Sequence, residues 1–161
     1  MNWTTTLYVG LAAAAGSCIA LQASANGKFR QNLAAGAADS APDYLGPAWA
    51  SYFSICGTIL CATVAMLVIR PPLPTREAFQ STQWWNWIGG PLGALIVLAG
   101  ATLTPRLGAA VFIAAVVGGQ ILSSMLLDHF GLMGLPQQPL SVGRVVGAVL
   151  VVGGVACVKW L

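Results

Sequence analysis

The chain is 161 residues long, 57% hydrophobic and 7% charged, with a mean hydropathy of +0.79. Soluble domains carry roughly a quarter of their residues as charges, so this chain lacks the groups to cover a solvated surface, and an ordinary soluble enzyme is excluded. Seven Lys plus Arg against four Asp plus Glu leave a net charge of +3, without the dense basic clustering that a phosphate backbone attracts, so nucleic acid is not an expected partner.

A membrane-spanning helix takes about 20 apolar residues, which leaves room for five with short connections. The expected fold is all-α: a polytopic helical membrane protein, one transmembrane domain over residues 1–161, with spans at about 5–26, 48–69, 85–103, 107–127 and 140–160. The first span is free of charge. Ala23, Ser24 and Ala25 resemble a signal-cleavage site, but Met1–Thr6 holds no Lys or Arg, so the positive region of a secretory signal is missing and the segment reads as a retained span. The polar stretch Gly27–Asn32 follows, with Lys28 and Arg30, and then Asp39, Pro42, Asp43, Gly46 and Pro47 mark a loop.

Arg70, Pro71, Pro72 and Pro74 close the second span, because a helix does not continue through a proline cluster. After the polar connection Thr75–Gln83, the tryptophans Trp84, Trp85 and Trp87 read as an interfacial anchor for the third span. Gly89, Gly90, Pro91 and Gly93 make that span the one most prone to bend. Pro105 and Arg106 form the shortest connection, so spans three and four are expected as an antiparallel hairpin. The fourth span ends at Asp128 and His129. Gly131, Gly134, Pro136 and Pro139 mark the next loop, and the last span carries Arg144 and Lys159 near its ends, where long cations snorkel to headgroups.

Helices in lipid associate through close packing of small residues. Gly89, Gly90 and Gly93, Gly118 in register with Ala110 and Ala114, and the GxxxG pair Gly143 and Gly147 are the expected packing positions. The GxxxG serves either an intrachain crossing or a dimer contact. Cys18, Cys56, Cys61 and Cys157 read as small packing residues. They form no CxxC pair and have no His or carboxylate at ligand spacing, so neither a metal nor a cofactor is expected.

Polar side chains in hydrocarbon are costly and tend to face a bundle interior or a cavity. Gln22, Asn26 and Arg30 share one helix face if the first helix continues past Gly27. They then either line a substrate path or bond neighbouring helices at the headgroup boundary. Gln120, well inside the fourth span, is a cavity candidate or a partner for a facing carbonyl, and Trp87 adds an aromatic cavity candidate. Ser51, Ser54 and Thr58 are weaker signals, since hydroxyls bond back to their own helix. Asp128 and His129 either couple protons to transport or form a charged helix end. No Asp or Glu lies centrally in a span, which disfavours exchange through one deep carboxylate and leaves amides, hydroxyls and aromatic faces to meet a substrate. The motifs GxSxG, HExxH, GxxxxGK[ST] and GxGxxG are absent, so the chain is not expected to be an enzyme.

Five spans put the termini on opposite sides. Arg70, Arg76 and Arg144 then lie on the N-terminal side, and Lys28, Arg30, Arg106 and Lys159 on the other. The positive-inside rule needs an asymmetry to set orientation, and three against four hardly supplies one. Insertion in both orientations and a single orientation set by other factors both stay open.

Several ordered blocks resemble the short, five-span YdcZ-type branch of the drug/metabolite transporter superfamily. They are Gln22, Asn26 and Leu33 before a second span led by Pro47; Trp84-Trp85-Asn86-Trp87-Ile88-Gly89-Gly90-Pro91-Leu92-Gly93-Ala94; Pro105 to Ala110; and Gly119-Gln120 through Asp128-His129-Phe130-Gly131. The stretch Ala34–Gly46, long and rich in Ala and Asp, departs from that pattern. The resemblance implies a multi-pass protein of the bacterial inner membrane that is half of a ten-helix inverted-repeat transporter. It would export a small metabolite or drug-like molecule by alternating access. The implied partners are the lipid bilayer, a small-molecule substrate and a second five-helix unit: an antiparallel homodimer or a heterodimer with a paralogue, with a cavity lined by the first, third and fourth spans. The alternative of a different class is a structural or regulatory membrane subunit of another complex.

Overall fold

The structure, a computed structural model, describes residues 3–36 and 41–160. Its regular elements are the helices α1 (Trp3–Ala35), α2 (Leu45–Ile69), α3 (Arg76–Gln80), α4 (Gly89–Leu107), α5 (Ala109–Phe130) and α6 (Val142–Trp160), with 3-10 turns at Trp84–Trp87 and Leu132–Gly134. Five helical stretches are long and apolar enough to cross a membrane: α1, α2, the run Trp84–Leu107, α5 and α6. The chain divides into two compact units, Met1–Pro105 and Arg106–Leu161.

In the first unit α1 continues through the polar stretch expected to follow it and ends at Ala35. At about 1.5 Å per residue its 33 residues measure about 50 Å, more than the roughly 30 Å of hydrocarbon, so its polar third has room to lie beyond the lipid core. Gly27 does not stop it. A mid-helix glycine costs about 1 kcal/mol relative to Ala, but its bare Cα admits α4: a Cβ there would stand 3.2 Å from Pro105 Cγ and 3.5 Å from Thr104 Cβ. Tertiary packing overrides the local propensity.

Two loop markers lie inside α2, which starts at Leu45 and so includes Gly46 and Pro47. A proline in the first turn gives up only an N–H that has no intrahelical acceptor. Asp39, another marker, lies outside the described residues. The helix ends at the expected point, where Arg70 turns left-handed (φ 49°) and its amide donates to the Met66 carbonyl at 2.9 Å.

Pro105 and Arg106, expected as a connection, belong to the last turn of α4. The break comes at Gly108, whose φ of +84° is open to glycine and strained for other residues. Pro105 removes one helical donor, but close to a helix end that loss is small, and its ring seats against Gly27.

The core of the first unit is a level of small residues: Ala23, Asn26 and Gly27 on α1, Gly46, Pro47, Ala50 and Ser51 on α2, and Gly100, Ala101 and Thr104 on α4. In the second unit α5 packs on α6 with Phe112, Gly118 and Ala148 buried. The large Leu, Ile and Val side chains of both units are mostly exposed, as lipid is a good solvent for them and gives no reason to bury them.

The glycines expected to pack divide into two sets within the chain. A Cβ on Gly118 would meet Val155 at 3.5 Å, whereas Gly89, Gly90, Gly93, Gly143 and Gly147 meet nothing within 4 Å among the described residues. The tightest positions are Gly27 and Gly46, the latter with the Arg30 carbonyl oxygen 3.0 Å from an added Cβ. The four cysteines are free and exposed rather than packed inside.

Candidate functional site

The continuation of α1 past Gly27 puts Gln22, Asn26 and Arg30 on one helix face. Two of them converge on a single acceptor in α2. Asn26 Nδ2 donates to Ser54 Oγ at 3.0 Å, and Gln22 Nε2 donates to the same oxygen at 3.4 Å. Asn26 is buried and Gln22 exposed. Ser54 stands apart from Ser51 and Thr58, which donate back to the carbonyls of Pro47 and Ser54 at 2.7 and 3.1 Å. Spacing alone does not mark Ser54 as the hydroxyl that leaves its helix.

One turn further along, Arg30 ties three helices together. Its Cγ lies 3.2 Å from the Cβ position of Gly46 on α2, and its Nη1 donates to the Thr102 carbonyl on α4 at 3.1 Å. Thr104, 7% exposed at the same α1–α4 crossing, has a hydroxyl with no hydrogen-bond partner among the described residues.

Trp87 lies in the 3-10 turn ahead of α4, exposed, its ring stacked on Phe79 of α3 with centroids 6.2 Å apart and planes 13° from parallel. Pro74, Ala78, Phe79, Thr82, Asn86 and Trp87 line a shallow groove of about 270 Å³. The capping of α3 fixes one wall, as the Ala78 amide donates to Thr75 Oγ1 at 3.2 Å.

In the second unit Gln120 is exposed on α5, with no side-chain hydrogen bond among the described residues. Asp128 and His129 lie in the last turn of α5 and hold the following loop. Arg144 Nη1 of α6 lies 3.3 Å from Asp128 Oδ2, the one ion pair among the described residues. The Asp128 carbonyl accepts from the Gln138 amide at 2.8 Å, and Arg144 Nη2 donates to Gln138 Oε1. His129 Nδ1 accepts the Leu140 amide at 3.3 Å, and its carbonyl accepts from Gln137 Nε2 at 2.9 Å. The partners Gln137 and Gln138 carry no sequence signal, because only the turn begun by left-handed Gly131 brings them back to α5.

Both units therefore offer neutral amides and hydroxyls within or beside apolar helices, with formal charges near helix ends and, in α1, at Lys28 and Arg30. Such groups can hydrogen-bond a small polar molecule. A sequence profile of the family described as "Putative inner membrane exporter, YdcZ" (DMT_YdcZ) matches residues 7–157. The chain is 37% identical over 78 residues to the inner membrane protein YdcZ of Escherichia coli (strain K12). That stretch covers 48% of this chain and 52% of the relative, so the match spans about half the relative's length. No solved structure matches the chain. With five helices able to span a membrane and a profile match along almost its whole length, the chain belongs to the YdcZ family and is a multi-pass inner membrane protein.

Proposed function

We propose that the chain is half of a secondary transporter that exports a small metabolite or drug-like molecule by alternating access between two five-helix units of inverted topology. The observation that carries this is the profile match to an exporter family over residues 7–157. Two equivalent, oppositely inserted halves rock between inward-open and outward-open states, and cations near the span ends, split three to four across the membrane, suit insertion each way. The partner unit is a second copy or a paralogue. Asn26 and Gln22, bonded to Ser54 in the first unit, are the polar groups set to face a substrate there; Trp87 and Gln120 are further candidates, each within its own unit, and Asp128 and His129 are candidates for coupling.

Reconstitution tests this. Purified protein in liposomes is expected to move compounds from a panel of drugs, sugars, amino acids and nucleosides, and Asn26→Leu is expected to change that movement while the protein still folds. No movement across the panel, with constant co-purification of one other protein, identifies a subunit of another complex instead. Impermeant labelling of tagged termini in intact cells is expected to find C-termini on both faces; C-termini confined to one face exclude inverted copies of this chain.

A further inference from the structure

His129 is the one histidine of the chain, and it closes the loop between α5 and α6 by a contact that only its neutral form can make. Its Nδ1 accepts the Leu140 amide at 3.3 Å. An accepting ring nitrogen carries no proton, so the proton of the neutral ring is on Nε2. The other ties of this loop to the end of α5 have different acceptors: the Asp128 carbonyl takes the Gln138 amide, the His129 carbonyl takes Gln137 Nε2, and the Asp128 carboxylate takes Arg144. The loop residues 131–141 have no titratable side chain. Asp128 on α5 and Arg144 on α6 are the charged groups at this end of the hairpin, and they pair with each other at 3.3 Å; no carboxylate lies within ion-pair distance of the His129 ring among the described residues. The ring is half-buried, edge-on to Phe130 with centroids 4.8 Å apart, so water still reaches it. It also stands in the last turn of α5, where the carbonyl end of a helix favours a cation.

We propose that His129 is a pH-sensitive latch on the entry to α6. With Nδ1 bare, the ring holds the Leu140 amide and so fixes the backbone just ahead of Val142, where α6 begins. When a proton adds to Nδ1, both ring nitrogens are donors; the amide then faces an N–H instead of a lone pair, and the bond is lost. Imidazole is the side chain whose unperturbed charge change falls between about pH 5 and 8, so the other ties persist through the range in which this one opens. Gln138 and Arg144 keep the base of the loop, and Pro139 has no N–H to replace the lost bond, which leaves Leu140 and Ser141 as the freed segment. The latch gives the coupling role proposed for His129 a physical form and rests on the transporter reading for that use; protonation and release do not depend on it.

The test uses the isotopically labelled full chain in detergent micelles. Long-range proton–nitrogen NMR spectra of the one imidazole report which ring nitrogen holds the proton. Amide hydrogen exchange, taken relative to an unstructured peptide at the same pH, reports protection. The neutral ring is expected to carry its proton on Nε2. On lowering the pH from about 8 to about 5, the Leu140 amide is expected to lose about three- to tenfold of its protection as the ring takes up its second proton, the loss that fits one hydrogen bond. The Gln138 amide, whose acceptor is a carbonyl, and the Gly118 amide inside α5 are expected to keep theirs. His129→Asn supplies an oxygen acceptor that does not titrate and is expected to make Leu140 protection independent of pH. If that variant fails to fold, the wild-type series decides by itself. A neutral ring with its proton on Nδ1, or a protonated ring with Leu140 protection unchanged, overturns the latch. So does loss at Gln138 and Gly118 in step with Leu140, which is general loosening rather than release at one contact. Transport assays on the same protein in liposomes separate the two readings. Transport of panel compounds by protein whose Leu140 protection ignores pH leaves the transporter reading standing and removes the latch; release at Leu140 in protein that transports nothing does the reverse.

Discussion

Gly27 of α1 and Pro105 of α4 meet so closely that a Cβ on the glycine would stand 3.2 Å from Cγ and 3.3 Å from Cδ of the proline ring. The contact explains both a glycine in mid-helix and a proline inside a helix end. Gly27→Ala gains about 1 kcal/mol of helix propensity and loses a comparable amount to crowding, so its thermal unfolding in detergent is expected within about 1 kcal/mol of wild type. Gly27→Leu is expected to lose more than about 2 kcal/mol by overpacking.

Gly46→Ala is expected to be worse than Gly27→Ala. The atom in its way, 3.0 Å off, is the backbone carbonyl oxygen of Arg30, which a helix cannot move as a ring can tilt. A loss of about 1–3 kcal/mol is expected. Thermal unfolding of the two alanine variants side by side checks the order.

A Cβ added at Gly143 or Gly147 would meet nothing within 4 Å among the described residues beyond its own helix, so alanine there is expected to leave the chain's own stability unchanged or slightly raised. Leucine at either position tests the remaining role of the GxxxG pair. Retained stability together with a smaller cross-linked dimer fraction assigns the motif to a contact between chains; an unchanged dimer fraction assigns it to lipid.

The bond from Asn26 to Ser54 joins α1 to α2 inside the first unit. Interhelical side-chain bonds in membranes contribute about 0.6 kcal/mol on average and rarely above about 1.7. A double-mutant cycle of Asn26→Ala and Ser54→Ala is expected to give a coupling energy in that range. Gln22→Ala alone is expected to cost less, since its bond to the same oxygen is longer, 3.4 Å, and its side chain is exposed.

At the end of α5, His129→Ala is expected to speed hydrogen exchange at the Leu140 amide, whose acceptor is His129 Nδ1. His129→Asn, with a carbonyl oxygen close to that place, is expected to restore much of the protection. Asp128→Asn is expected to cost under about 1 kcal/mol, because the ion pair with Arg144 is partly exposed and screened and the Gln138 amide still binds the Asp128 carbonyl. If the pair couples protons, Asp128→Asn also removes the dependence of transport on a pH gradient while this loop stays ordered.

The spans were legible because hydropathy is a property of composition over about 20 residues, and no later contact changes it. The stop at Arg70 and the polar stripe on α1 were legible for related reasons: proline geometry and the helical repeat act locally. The ends of α1 and α4 were not. Gly27 reads as a helix weakness and Pro105 as a turn when each is judged alone, and only their mutual contact makes both of them helical. Which small faces pack within the chain was not legible for the same reason, since four-residue spacing shows which face is small without showing which face has a neighbour.

By itself, then, the sequence determined that this is a five-span, all-helical membrane protein with neutral polar groups in its spans and only seven cations, near the ends of its spans. Those are sums and periodicities over residues close in the chain. Only the tertiary structure decided that Ser54 is the acceptor for both amides of α1, that Arg30 reaches the Thr102 carbonyl, and that Asp128 and His129 hold a loop through Gln137, Gln138, Leu140 and Arg144. Each of these depends on which residues of separate helices or returning loops come within about 3 Å of one another, and that is set by packing rather than by spacing along the chain.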